Sequence, residues 1–357
     1  MKEFVSRSLN PKNFARGILI FILCTIIGLY LSFLRSDTAN IGVVLRSMDG
    51  RFLLLAALFM FCDWLSGGAR LYIFVRKMSP HVTFLHGLRA NLATICIGGI
   101  TPFQTGGLGH LYIFNRAGVP FSGTVTTGVI SFIGTLTFLM LSTGYVVQRA
   151  PDFLPKAITL VSQYSLLMFA LTLSVFLILL IKPETILLPL TRIQLPERRG
   201  FRLAANLLDR LILTLENVIG EHKAFTRMFV TEHKLVCLLS FVFTMGIYMS
   251  RFVGGYVVVR ALGGDAPFWH VIAVQVIISF VTIFAPSPGA SGISEFLIAI
   301  LMKPLLVSGG IAGATGLYAL ITRFFTTYCG VAVGGIVLMS QLTKDLRHRK
   351  ENEEIEE

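Results

Sequence analysis

Thr101-Pro102-Phe103-Gln104-Thr105-Gly106-Gly107 and Ala285-Pro286-Ser287-Pro288-Gly289-Ala290-Ser291-Gly292 interrupt two apolar stretches of a 357-residue chain. A bilayer interior offers no water to backbone N–H and C=O groups. Helix breakers there survive only when protein buries them or a wet cavity faces them. One such break reads as a kink. Two, in comparable places in the two halves of a chain, read as a transporter core.

The surrounding sequence is that of a membrane protein. It is 54% hydrophobic and 14% charged, against roughly 25% charged residues in soluble domains, and its mean hydropathy is +0.75. Gly17–Leu34, Val119–Gln148, Ala157–Ile181 and Ala266–Ser294 carry no charge, and about 20 apolar residues suffice to cross as a helix. The net charge of +12 gathers at segment ends, where it orients the protein and meets anionic lipid. No basic face with stacking aromatics lies outside the membrane, so no nucleic-acid partner is expected. Cys24, Cys62, Cys96, Cys237 and Cys329 stand singly in apolar sequence, which argues against zinc and against a disulfide framework. There is no Walker A, HExxH or G-x-S-x-G pattern. Neither metal nor cofactor is expected.

Charge placement gives a topology. The basic residues 1–16 belong in the cytoplasm, and 17–34 is a first transmembrane helix, too long an apolar run for a cleaved signal. Segment 35–51 is external, and a helix over about 52–75 returns to Arg76-Lys77. If 84–101 then crossed, the Lys/Arg-rich loop 182–233 would lie outside, against its charge. A re-entrant 84–117, broken at Pro102 to Gly107 and leaving on its own side, removes the conflict. Helices near 119–148, 157–181 and 235–259 follow. Residues 267–304 re-enter from outside with a break at Pro286 to Gly292, and one helix over about 309–341 returns. The tail 344–357 is cytoplasmic and charged, its Glu-rich end expected to be disordered. Phe201 to Ile219 repeats apolar residues at helical spacing, as a helix in the inner interface or packed on the protein's cytoplasmic face. The expected fold class is thus an all-α polytopic integral membrane protein, with about six transmembrane helices and two re-entrant broken-helix segments. It forms one domain over 1–343, with halves at about 52–181 and 234–341. An offset of 184 residues aligns Tyr72 with Tyr256, Val75 with Val259, Arg76 with Arg260, Phe84 with Phe268, His86 with His270, Asn91 with Gln275 and Pro102 with Pro286. With the re-entrant topology these halves form an inverted repeat.

Charge inside the membrane marks candidate chemistry, because an Arg or Asp at a helix centre costs roughly 3 kcal/mol on insertion scales. Glu295 falls in the first turn of a helix restarting after Gly292, where the helix dipole favours a carboxylate. Pairing with Arg323 would relieve two desolvated charges, as a static strut or as a gate. An Arg323 facing an aqueous cavity would instead suit a phosphate. Asp63 and Arg70 share a helix face two turns apart, too far for direct pairing, and Arg251 is expected to snorkel to the outer interface. The broken helices expose N–H groups that attract anions. Around them Gly106, Gly107, Gly289 and Gly292 allow close backbone approach. Thr101, Pro102, Gln104, Thr105, Pro286, Ser287, Pro288 and Ser291 complete a polar lining, although small residues there also serve plain helix packing. His110 lies just past the first break. Asp63, Arg70, Asn91, Arg251 and Gln275 are candidate supporting residues.

These residues resemble the lysylphosphatidylglycerol synthase transmembrane-region family, also called flippase-like or UPF0104 proteins. The likeness rests on Thr101 to Gly107 with Tyr112 and Asn115-Arg116-Ala117-Gly118-Val119, and on Pro286 to Gly292 with Glu295 and Arg323. It covers roughly residues 12–343. It implies a bacterial or archaeal membrane protein that moves polar lipids between leaflets. Synthase relatives add a soluble aminoacyl-transferring domain. None follows the last helix here, so aminoacyl transfer, like ATP hydrolysis, is not expected. Leu108-Gly109-His110 and the uncharged Thr127 to Thr137 depart from the family's pattern, which bears on the substrate more than on the fold.

The expected function is therefore translocation of polar or anionic headgroup lipids through a midplane polar cavity open between the two breaks. An ion-coupled small-solute transporter and a lipid-modifying membrane enzyme are the alternatives. The expected partners are membrane lipids, with a separate lipid-modifying enzyme as a further candidate. The expected location is the cell (inner) membrane, with both termini cytoplasmic.

Overall fold

The computed structural model describes residues 11–34, 41–46, 48–101, 106–149, 156–185 and 216–356. The described residues are helical and contain no strand. In chain order they form α1 (Pro11–Leu34), α2 (Ile41–Arg46), α3 (Gly50–Met78), α4 (Phe84–Ile100), α5 (Gly107–Arg116), α6 (Phe121–Arg149) and α7 (Lys156–Ile181). Next come α8 (residues 216–227), α9 (Lys234–Ala261), α10 (Phe268–Thr282), α11 (Ile293–Leu301), α12 (Lys303–Ser308), α13 (Thr315–Arg323) and α14 (Cys329–Glu356). Six are long and apolar enough to cross a membrane: α1, α3, α6, α7, α9 and the continuous helix Thr315–Asp345. The protein is all-α and polytopic. Leu19, Leu23, Ile26 and Ile27 of α1 and Leu160, Leu167, Met168 and Leu171 of α7 are exposed. A belt of that kind meets lipid tails rather than water.

The central pair is α3 against α9, and it runs antiparallel. Asp49 N donates to Ala261 O (2.9 Å) at one end. Asp63 meets Arg251 in the middle, and Ser66 lies opposite Gly246 further on. The Phe74 ring stacks edge-on against Phe229 at the other end, centroids 4.9 Å apart. Each half then inserts a hairpin. The first, α4 and α5, begins and ends at one place: Met78 packs on Gly123 and His81 Nε2 donates to Ala117 O (2.7 Å). The second, from Phe268 to Ser308, also begins and ends at one place, where Asp265 N donates to Gly309 O (3.1 Å). These two mouths sit at opposite ends of the antiparallel α3–α9 pair, so the hairpins enter from opposite faces. Equivalent contacts recur at the offset of 184: Tyr72 meets Phe84 edge-on at 5.9 Å, and Tyr256 meets Phe268 edge-on at 4.9 Å.

Small residues let the hairpins seat. Asn91 of α4 packs on Gly67 of α3, and Gln275 of α10 packs on Gly255 of α9. Gly330 and Gly334, one turn apart on α14, face Ile95 and Leu92 of α4, so small-xxx-small spacing brings two backbones together.

Two expectations change here. The last helix does not begin at 309: it begins at Thr315 and contains a π-turn, Phe324–Tyr328. The Glu-rich tail is not disordered to its end, because helix α14 continues to Glu356. Asp345 on that extension accepts from Tyr112 Oη (2.5 Å) and pairs with Arg116, clamping α5. Of the amphipathic stretch, 201–215 lies outside the described residues, as do Pro102, Phe103, Gln104 and Thr105.

Candidate functional site

The second break is built from left-handed backbone. Ser287 is extended, Pro288–Ala290 makes one 3-10 turn, and Gly289 (φ 57°), Ala290 (φ 55°) and Gly292 (φ 84°) all take positive φ. Glycine does so freely. Alanine does so at a cost of about 1 kcal/mol, so the surroundings must hold it. A Cβ on Gly289 would sit 3.0 Å from Gly99 O and 3.1 Å from the Phe21 ring. The tip of the second hairpin therefore touches the end of α4, where the first hairpin turns.

Glu295 and Arg323 hold this tip. Gly292 N donates to Glu295 Oε2 (2.7 Å), closing a cap on the first turn of α11, where the helix dipole favours a carboxylate. Arg323 Nε donates to Glu295 Oε1 (2.8 Å), and Tyr328 Oη donates to the same oxygen (3.0 Å). Arg323 Nη2 reaches Gly289 O (2.8 Å) and Ser291 Oγ (3.3 Å), and Nη1 reaches Thr327 Oγ1 (2.7 Å). Glu295 is fully buried and Arg323 is 7% exposed. The π-turn explains how Thr327 and Tyr328 both point back: its wider turn brings residues four and five places on over the same face. Every guanidinium nitrogen of Arg323 is engaged, so Arg323 does not face an aqueous cavity and is not offered to a phosphate.

Helix α1 closes the break from outside, a role that a first transmembrane helix in no repeat did not announce. Thr25 Oγ1 donates to Ser291 Oγ (3.1 Å), and Ser32 Oγ donates to Glu295 O (3.0 Å). A Cβ on Gly28 would lie 2.6 Å from Gly292 Cα. Thr25, Gly28 and Ser32 share one helix face. A polar stripe at that spacing in apolar sequence was the available signal.

The second charge pair corrects another expectation. Arg251 does not snorkel: its Nε and Nη2 donate to both oxygens of Asp63, at 3.0 and 3.3 Å, and its guanidinium lies 5.7 Å from the Tyr248 ring centroid. Asp63 is 3% exposed. The pair lies within a turn of the midpoints of α3 and α9, where the two halves cross. Beside it is a small pocket of about 20 Å³, room for about one water, lined by Phe59, Met60 and Phe325 and by Asp63, Arg251, Thr322 and Thr326. The expected cavity between the breaks is not seen among the described residues: the second tip packs on the end of α4, and the small pocket lies instead beside the midplane ion pair. Its Thr322–Thr326 wall joins it to the Arg323 network.

Arg70 has neither Asp63 nor any other acid as partner among the described residues; its Nη1 donates to Thr135 Oγ1 (3.1 Å) and Thr244 Oγ1 (3.3 Å). His110 Nδ1 approaches Thr94 Oγ1 (3.4 Å). Asn91 Nδ2 donates to Trp64 O (3.3 Å) and Gln275 Nε2 to Tyr318 Oη (2.6 Å), both tying hairpin to scaffold. Thr101 caps α4 through Ile97 O (2.6 Å). Gly106 packs on Thr94 O, and a Cβ on Gly107 would meet no atom closer than 3.6 Å. Pro288 is buried, Pro286 exposed and Ser287 half-buried. Thr94, Ser131, Thr135, Thr244, Tyr248, Thr327 and Tyr328 were not singled out from sequence, because single hydroxyls in apolar helices ordinarily bond their own backbone.

Comparison with known proteins agrees with this architecture. The family model described as "Lysylphosphatidylglycerol synthase TM region" matches residues 15–334. A "UPF0104 membrane protein" of Archaeoglobus fulgidus is 23% identical over 341 residues, covering 92% of this chain and 98% of that protein.

Proposed function

This chain belongs to the lysylphosphatidylglycerol synthase TM-region family, and on that premise we propose that it is a transporter that moves polar lipids between leaflets. The observation that carries the reading is the Asp63–Arg251 ion pair, set near the midpoints of α3 and α9 where the two halves cross. The small pocket beside it draws its lining from Phe59, Met60 and Phe325 together with Asp63, Arg251, Thr322 and Thr326. Buried charges of this kind ordinarily mark a substrate path. Two hairpins that enter from opposite faces supply the matching halves that alternating access requires. We place the basic segment ends, the 182–233 loop and both termini on the cytoplasmic side of the cell membrane, following the positive-inside rule.

The test is leaflet-resolved quenching of fluorescent phospholipids in vesicles containing the purified protein. The proposal expects labelled lipid to equilibrate across the bilayer faster than in protein-free vesicles, and expects Asp63→Asn or Arg251→Gln to slow it. Lipid asymmetry that persists with active, folded protein under every imposed ion gradient would contradict it.

A further inference from the structure

Three buried polar atoms line one seam of the molecule and find no partner among the described residues: Arg70 Nε, Ser131 Oγ and His110 Nε2. Helix α6 shows that they share a line. A Cβ on its Gly128 would lie 3.0 Å from His110 Nε2, Ser131 is one turn on, and Thr135, one further turn on, takes the Arg70 guanidinium. Two turns of helix are about 10 Å. His110 and Ser131 are 7% and 4% exposed. An unpartnered buried polar atom is costly. Three in a row, one of them on an arginine without an acid among the described residues, point to a missing ligand.

The chemistry of that ligand follows from the donors and acceptors left over. Arg70 Nε and the Ser131 hydroxyl can donate to an oxyanion, and a guanidinium fits phosphate. His110 is different. The Thr94 hydroxyl already donates to Ala90 O (2.8 Å), so towards His110 Nδ1 it accepts. In the tautomer that this arrangement favours, the ring proton sits on Nδ1 and Nε2 is an acceptor. The ligand must therefore carry a phosphate and, a few bonds away, an O–H or N–H donor.

We propose that Arg70, Ser131 and His110 form a seat for a phosphodiester headgroup bearing a hydroxyl or ammonium group. Arg70 and Ser131 take the phosphate oxygens, and His110 Nε2 accepts from the headgroup's donor. The seat rests on the reading of this chain as a polar-lipid transporter and deepens it. Arg70 lies two turns from Asp63 toward the first mouth, so a headgroup coming from that mouth meets it before the midplane pair.

The test is binding of short-chain lipids to the purified full-length chain by native mass spectrometry. The probes are dihexanoyl phosphatidylglycerol, phosphatidylethanolamine and phosphatidylcholine, with inorganic phosphate as competitor. Phosphatidylcholine keeps the phosphate but has no headgroup N–H or O–H. The wild type should prefer the first two by about fivefold, the value of one neutral hydrogen bond. Arg70→Gln should weaken all three by about tenfold or more, the value of a charged one. His110→Phe should erase the preference while leaving phosphatidylcholine unchanged. Arg70→Lys, which keeps the charge and loses Nε, should fall between wild type and Arg70→Gln, and supplies the reading if the Gln variant does not fold. Equal binding of the three lipids by the wild type, or unchanged binding in Arg70→Gln and Arg70→Lys, overturns the seat. So does displacement of lipid by equimolar inorganic phosphate, which would assign the site to free phosphate. A wild type that flips lipid while the Arg70 variants bind normally removes the seat and leaves transport standing. A wild type that binds as described but flips nothing removes transport and leaves the seat.

Discussion

Glu295 is held from four directions, by Gly292 N, Arg323 Nε, Tyr328 Oη and the Ser32 hydroxyl on its carbonyl. Together they fix a hairpin tip whose alanine takes a left-handed dihedral. Removing one charge of such a buried pair strands the other, at about 3–5 kcal/mol. Glu295→Gln and Arg323→Gln should therefore each lower the thermal unfolding midpoint strongly, and the double variant should recover part of the loss because no charge is left unpaired. Strictly additive losses would mean that the two side chains do not act as a pair. This pair was legible in sequence, since two lone charges in apolar surroundings near a break have few other partners. The Asp63–Arg251 pair was not. Its members are 188 residues apart, and a lone arginine on an apolar helix is ordinarily read as reaching for the interface.

Among the elements, proline and glycine announced the two breaks, because both residues act on the backbone whatever surrounds them. The π-turn Phe324–Tyr328 has no such marker; packing against Glu295 sets it, and packing is not local. Helix α8 gives the prediction proper to this scale. His222, 4% exposed, meets Thr126 Oγ1 through Nδ1 (2.7 Å) and donates from Nε2 to Leu179 O (3.2 Å), docking α8 on α6 and α7. Burial holds its imidazole below the ordinary range, with the Leu179 hydrogen bond acting the other way. A histidine whose pKa is lowered on docking binds protons better undocked. Docking is thus at full strength above the undocked value and weakens as pH falls through it. Hydrogen exchange over 216–227 should accelerate between about pH 7.5 and about pH 5.5, on either side of the ordinary imidazole value, after correction for the intrinsic rate. Protection that is independent of pH would show that His222 does not govern the docking.

For the whole molecule, the inverted repeat explains why the midplane pair sits where it does. Equivalent helices of two oppositely directed halves cross at their centres, and α3 and α9 cross at Asp63 and Arg251. The offset of 184 was visible in sequence as a few matched residues. Their meaning depended on topology, which came from the basic 182–233 loop rather than from hydropathy, since 84–100 is apolar enough to pass for a crossing helix. The seal that α1 makes over the second break showed in sequence only as a polar stripe, because what that stripe faces depends on which helix lies beside which. The central claim is that 84–116 and 268–308 are hairpins inserted from opposite faces so that their tips meet inside the bilayer. Single cysteines placed at His81, Gly118, Asp265 and Gly310 in a cysteine-free background, labelled by a membrane-impermeant maleimide from one side at a time, test it directly. The account predicts that 81 and 118 react from one face only, and 265 and 310 only from the other. Positions 81 and 118 reacting from different faces, or all four from the same face, would contradict it.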